Sequence, residues 1–123
     1  MAVIRYMVRD VESAVAFYTS HLGFKVEQSW GPAFTIIQKD DLSIWLSGPQ
    51  TSAARPMPDG RQAEPGGWNR IVIELKNLES QVELMKQAGV KFRNEVISGP
   101  GGKQILAEDP SGNPIELFEP AST

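Results

Sequence analysis

The sequence predicts an α+β protein made of two tandem βαβββ modules. Three observations carry that reading. Strand-like alternation and helix-like apolar stripes occur twice in the same order, and residues 48–67 interrupt them. Matching residues also recur at a spacing of about 66 to 71. Arg9-Asp10-Val11-Glu12-Ser13 matches Lys76-Asn77-Leu78-Glu79-Ser80, Leu22-Gly23-Phe24 matches Ala88-Gly89-Val90, and Ile44-Trp45-Leu46 matches Ile115-Glu116-Leu117.

Residues 2–8 alternate as a strand, with Ile4, Tyr6 and Val8 on one face and Val3, Arg5 and Met7 on the other. Asp10 stands where an N-cap belongs. Val11, Ala14, Val15, Tyr18 and Leu22 then form a helical stripe that ends at Gly23. Strands follow at 24–27, 34–38 and 42–47, the last two joined by Lys39-Asp40-Asp41. Residues 48–67 hold four Pro and four Gly without periodicity, as a linker or a long loop does. The order then restarts, with a strand at 69–75, an N-cap at Asn77 and a stripe of Leu78, Val82, Met85 and Ala88 ending at Gly89. Strands at 90–93, 103–108 and 114–119 complete the second copy, and Gly99-Pro100-Gly101-Gly102 reads as a loop between strands. The expected organisation is one domain over 1–123, with a first module at 1–49, a linker at 50–68 and a second module at 69–123.

Composition narrows the function classes. A net charge of −3 with scattered Lys and Arg gives no footing for nucleic acid or an anionic membrane surface. The absence of cysteine removes disulfides and thiolate metal sites. The N-terminus lacks the apolar core of a signal peptide and no run has transmembrane length, so a soluble cytoplasmic protein is expected. One histidine and no cysteine cannot build a Ser-His-acid or Cys-His set.

Each sheet should cover one face with its helix. Beneath the first helix should lie Ile4, Tyr6, Val8, Ile44 and Leu46, and beneath the second Ile71, Ile73, Leu75, Ile115 and Leu117. Alternation sends Val3, Arg5, Met7, Ser43, Trp45, Arg70, Val72, Glu74, Glu116 and Phe118 to the opposite faces. That mixture of aromatics and charges suits a concave ligand surface better than a core or an ordinary exposed sheet.

Val8-Arg-Asp10-Val-Glu-Ser-Ala-Val-Ala-Phe17-Tyr18-Thr-Ser-His-Leu22-Gly23-Phe24 resembles the first signature of the vicinal oxygen chelate superfamily. Asp109-Pro-Ser-Gly-Asn-Pro-Ile-Glu116-Leu-Phe resembles its second. This group holds glyoxalase I, extradiol dioxygenases, fosfomycin-resistance enzymes and bleomycin-resistance proteins. The resemblance implies paired βαβββ modules forming a cup-shaped curved mixed sheet with the helices outside, and a homodimer. It also implies metal-ligand positions in the first and last strand of each module. Those positions carry Val3, Trp45, Arg70 and Glu116, of which Glu116 alone keeps a ligand-type side chain.

The remaining candidates do not restore a metal site. His21 ends the first helix and reads as a surface residue near a helix C-terminus. Glu74 with Glu116 would make a weak hard-ion site, and Arg70 beside them argues against it. Arg70 and Glu116 should instead pair as a partly buried fork. Trp45 should point into the cup as a stacking surface, while Trp30 and Trp68 in loop-like segments either cover edges or line a mouth. The expectation is a metal-independent, bleomycin-resistance-like protein with a role in antibiotic resistance. It would sequester an aromatic or charged small molecule with Arg5, Trp45, Arg70, Glu74, Glu116 and Phe118, and without a cofactor. The alternative is a glyoxalase-like lyase or isomerase, or a dioxygenase-type metalloenzyme, whose non-standard site uses Glu116 with a divalent metal.

Overall fold

The structure is a computed structural model, which describes residues 1–122. The chain divides into two compact units, Met1–Gly66 and a second that begins at Gly67. Together they hold two helices and two mixed sheets, an α+β fold.

In the first unit β1 (Ala2–Met7), α1 (Val11–His21), β2 (Lys25–Ser29), β3 (Phe34–Lys39) and β4 (Leu42–Ser47) follow the predicted order. The sheet runs β1-β4-β3-β2. β1 lies parallel to β4, and the other pairs are antiparallel. Asp10 caps α1 as expected, its carboxylate accepting from the Ser13 N–H at 3.1 Å. Gly23 follows in the left-handed region at φ 76°, where a side chain would be strained. The helix buries Val11, Ala14, Phe17 and Tyr18. Phe17 therefore joins the stripe and Val15 is only half-buried. The Phe17 ring packs edge-on to Tyr18 at 5.1 Å and to His21 at 5.5 Å, which keeps His21 partly covered. Ile37, Ile44 and Leu46 are fully buried on the helix-covered face, each contributing about 1.5–3 kcal/mol.

The linker residues continue this unit. Thr51 and Ser52–Ala54 form a short 3-10 turn, and Met57 to Arg61 closes a small loop through Met57 N–H to Arg61 C=O at 2.7 Å.

The second unit contains β5 (Ile71–Glu74), α2 (Leu78–Gln87), β6 (Lys91–Phe92), β7 (Ile97–Gly99), β8 (Gly102–Glu108) and β9 (Pro114–Pro120). Its sheet runs β5-β9-β8-β6, with β7 also on β8 and β5 parallel to β9. The strand expected at 90–93 is thus followed by one more than the repeat predicts. Both short strands pair with β8, and between them the ladder passes to side-chain bonding: Asn94 Oδ1 accepts the Leu106 N–H at 2.9 Å. Gly99-Pro100-Gly101-Gly102 is the tight turn joining β7 to β8. Gly102 has φ 145°, and a Cβ there would collide with the Glu119 carbonyl.

Asn77 does not cap α2. It lies in the left-handed region at φ 57° with no capping bond from its side chain. The cap comes from β9, where Glu119 accepts from the N–H groups of Asn77 and Leu78, both at 3.2 Å. A carboxylate there also meets the positive end of the helix dipole. α2 buries Leu78, Val82 and Met85, whereas Ala88 is exposed. No described helix is long and apolar enough to cross a membrane.

Candidate functional site

In each unit the sheet face turned away from the helix carries the mixed residues that the sequence singled out. On the first sheet the pairing aligns Arg5, Trp45, Ile36 and Gln28 in one row across four strands. Neighbouring rows hold Val3, Ser43, Gln38 and Lys25, and then Met7, Ser47 and Phe34. The Arg5 guanidinium sits 5.1 Å from the Trp45 ring centre and 5.9 Å from that of Phe34. Its Nη1 donates to Ser47 Oγ at 3.0 Å. Phe34 meets Trp45 edge-on at 6.0 Å and Trp30 at 5.3 Å with a 40° tilt. Trp30 is held by its N–H to the Phe34 carbonyl at 2.8 Å, so a residue outside the strands joins the same aromatic set. Trp45 and Phe34 are half-buried, and Trp30 and Val3 are about half exposed. Such a surface has stacking faces and a cation above them.

The equivalent face of the second sheet is polar at its centre. Arg70, one residue before β5, donates Nη2 at 2.9 Å and Nε at 3.1 Å, both to Glu116 Oε1. The expected pair forms, but on one carboxylate oxygen. The other oxygen faces Gln104. With its amide nitrogen turned inward, Gln104 donates to Oε2 at 2.8 Å and to Oε1 at 3.2 Å. Glu116 is the more buried partner, at 13% side-chain exposure against 32% for Arg70. Phe118 lies half-buried opposite Gln104, while Glu74 and Val72 are exposed.

Two further groups in this unit build the scaffold. Arg93 donates to Glu108 at 2.8 Å, to the Gly67 carbonyl at 2.6 Å and to the Gly112 carbonyl at 2.9 Å, and lies 4.6 Å from the Trp68 ring. Trp68 is thereby a stacking partner of Arg93. Asp109 folds its own turn: Oδ1 accepts the N–H groups of Ser111 and Asn113, each at 2.9 Å, and Oδ2 accepts the Asn113 amide at 3.0 Å. Asp109 is 4% exposed, so the Asp-Pro-Ser-Gly-Asn run is a buried fastener for the β8–β9 turn.

Arg5 and Trp45 therefore share the face of one sheet, and Arg70, Glu74, Glu116 and Phe118 that of the other. Phe34, Ile36, Gln104 and Leu106 on these faces, with Arg93 behind them, were missed. The signal existed: Phe34 to Lys39 and Lys103 to Glu108 alternate like their neighbours, so parity on the middle strands would have found the first four.

A divalent ion, which the family resemblance implies, does not fit the four equivalent positions. Val3 and Trp45 bring no donor, and Arg70 brings a positive charge already bonded to Glu116. Among the described residues no group of three or more His, Cys, Asp or Glu is placed to hold a metal.

Comparison with known proteins supports the same family. The lactoylglutathione lyase of Salmonella typhimurium is 30% identical over 129 residues, covering 97% of this chain and 93% of that one. A probable chloroplastic lactoylglutathione lyase of Arabidopsis thaliana is 27% identical over 132 residues, and there the chain spans only 36% of the relative's length. The antibiotic binding protein TnmS3 from Streptomyces sp. CB03234 shares the fold with a TM-score of 0.70 and 22% identity, over 97% of this chain and 93% of that one. The family described as Glyoxalase/Bleomycin resistance protein/Dioxygenase superfamily matches residues 1–117. With that match and the Salmonella relative, the chain belongs to the glyoxalase/bleomycin resistance protein/dioxygenase superfamily.

Proposed function

We propose that the chain is a metal-independent small-molecule binding protein of the bleomycin-resistance-like type, cytoplasmic and homodimeric. Its candidate ligand contacts are Arg5 and Trp45 on the face of the first sheet and, taken by itself, the face of the second sheet with Arg70, Glu74, Glu116 and Phe118. The observation that carries this reading is the half-open aromatic set of Trp30, Phe34 and Trp45 with Arg5 over it. Ordinary exposed strands do not gather three rings, and sequestration needs only such a prepared surface. Titrating intrinsic tryptophan fluorescence with a panel of aromatic antibiotics and metabolites is expected to give saturable quenching that Trp45→Ala weakens by about tenfold or more. No response to any compound, or an unaltered response in Trp45→Ala, would sink the reading.

A second reading is favoured by the 30% identity to a lactoylglutathione lyase. In it the protein is a lyase or isomerase with Glu116 as general base. Against it stands the engagement of Glu116 by Arg70 and Gln104, with which a substrate would have to compete for the carboxylate. Stoichiometric metal in the purified protein, lost in Glu116→Gln, would establish this rival.

A further inference from the structure

We propose that the open face of the first sheet selects a planar arene bearing a carboxylate, with Arg5 as the anchor for the charge. The inference rests on the binding reading above and names its ligand class.

Arg5 differs from Arg70, Arg93 and Arg61 in its partners. Arg70 is neutralised by Glu116 and Arg93 by Glu108, and Arg61 pairs with Asp59 in the loop. The partners of Arg5 are a hydroxyl and two aromatic rings, none of which cancels its charge. A guanidinium has five N–H donors, and one of them goes to Ser47.

The surrounding face keeps that charge uncompensated. Its three rows contain Arg5 and Lys25 as charged residues, and Glu27 in the β2 bulge lines a cavity with Lys25 on the edge strand opposite Arg5, in a chain whose net charge is −3. A cation without an anion partner among these rings, on an acidic protein, is a local arrangement. It favours anions there and disfavours cationic ligands. One arginine, with Lys25 in the neighbouring row and three strands across the sheet, balances a monoanion with a flat two-oxygen head better than a phosphate dianion, which would leave a charge over. The rings determine the rest of the ligand: Trp30, Phe34 and Trp45 offer faces on which an arene stacks. Because Trp45 and Ser47 already hold the guanidinium, less freedom is lost when it takes a carboxylate.

The test is calorimetric titration with 2-naphthoate and its neutral near-isostere 2-naphthamide. Wild type is expected to bind the carboxylate at least about tenfold more tightly, as one charge-assisted hydrogen-bonded contact provides. High salt should narrow that preference. Arg5→Gln should bring the two affinities together, and Arg5→Lys should keep part of the gap. Equal wild-type affinities would overturn the anion preference while leaving the binding reading intact, and so would a preference that survives in Arg5→Gln. If neither compound binds, the inference falls. The binding reading falls with it only if the wider aromatic panel is silent too. Should Arg5→Gln fail to fold, the two wild-type titrations decide alone.

Discussion

Trp45 and Glu116 occupy the same place in two copies of one sheet, at the middle of a strand flanked by a parallel neighbour on one side and an antiparallel neighbour on the other. Their surroundings differ in kind. Around Trp45 the polar neighbours are few, the rings pack on each other and one cation is left without an anion. Around Glu116 an arginine and an amide bond to both oxygens, and the charge is paired within the fold. A repeated backbone thus fixes where a side chain points, and the residue placed there decides whether the position recognises a ligand or supports the sheet. The first face is open chemically. The second is largely closed on itself.

The largest test of this contrast lies in the turns that deliver the two central strands. Asp109 is buried with three hydrogen bonds, whereas Asp41 in the matching β3–β4 turn is exposed. In urea denaturation Asp109→Ala is expected to cost about 3 kcal/mol and Asp41→Ala less than about 0.5 kcal/mol. Similar losses would mean that the two turns carry equal weight.

Next comes the closed pair itself. Arg70→Ala should cost about 2 kcal/mol, because it leaves the more buried carboxylate with Gln104 alone. Glu116→Gln should cost only about 1 kcal/mol, since Arg70 can turn toward water. A reversed order would show that the arginine is the residue under strain.

The helix caps give a smaller effect. Asp10→Ala and Glu119→Gln should each lower stability by about 1 kcal/mol, while Asn77→Gly should change it by less than about 0.5 kcal/mol. Denaturation midpoints of the three variants would separate the local cap from the remote one.

The smallest effect is the exposed Lys103–Glu79 pair between β8 and α2. Its hydrogen bond and the Glu79 charge raise the Lys103 pKa above the usual 10.5. Any stability from this pair is therefore fully present below that value and lost as pH climbs through the raised one. The difference between wild type and Lys103→Met should be flat through neutral pH and shrink only in strong alkali, as thermal melts across pH would show.

The element order, the repeat, the cap at Asp10 and the Arg70–Glu116 pair were legible in the sequence because each depends on neighbours or on a period. The cap of α2 was not. Asn77 has the right residue type in the right place, but its backbone is left-handed, and the carboxylate that does the capping comes from the far end of β9. The Arg93 links were hidden for the same reason: its partners are carbonyls 19 and 26 residues away, and nothing in residue type marks a carbonyl as an acceptor. Trp68 is instructive in another way, since its place in a loop left edge cover and mouth lining open, and the structure gives it Arg93 as a partner.

The remote cap has a kinetic consequence. α1 receives its capping carboxylate from three residues away and can complete its first turn as soon as it forms. α2 receives its own from 41 residues downstream, so its first turn stays incomplete until β9 has docked beside β5. The two helices therefore mature at different times in folding: Glu119→Gln should chiefly speed unfolding if β9 docks after the transition state, and Asp10→Ala should slow folding if α1 belongs to the nucleus.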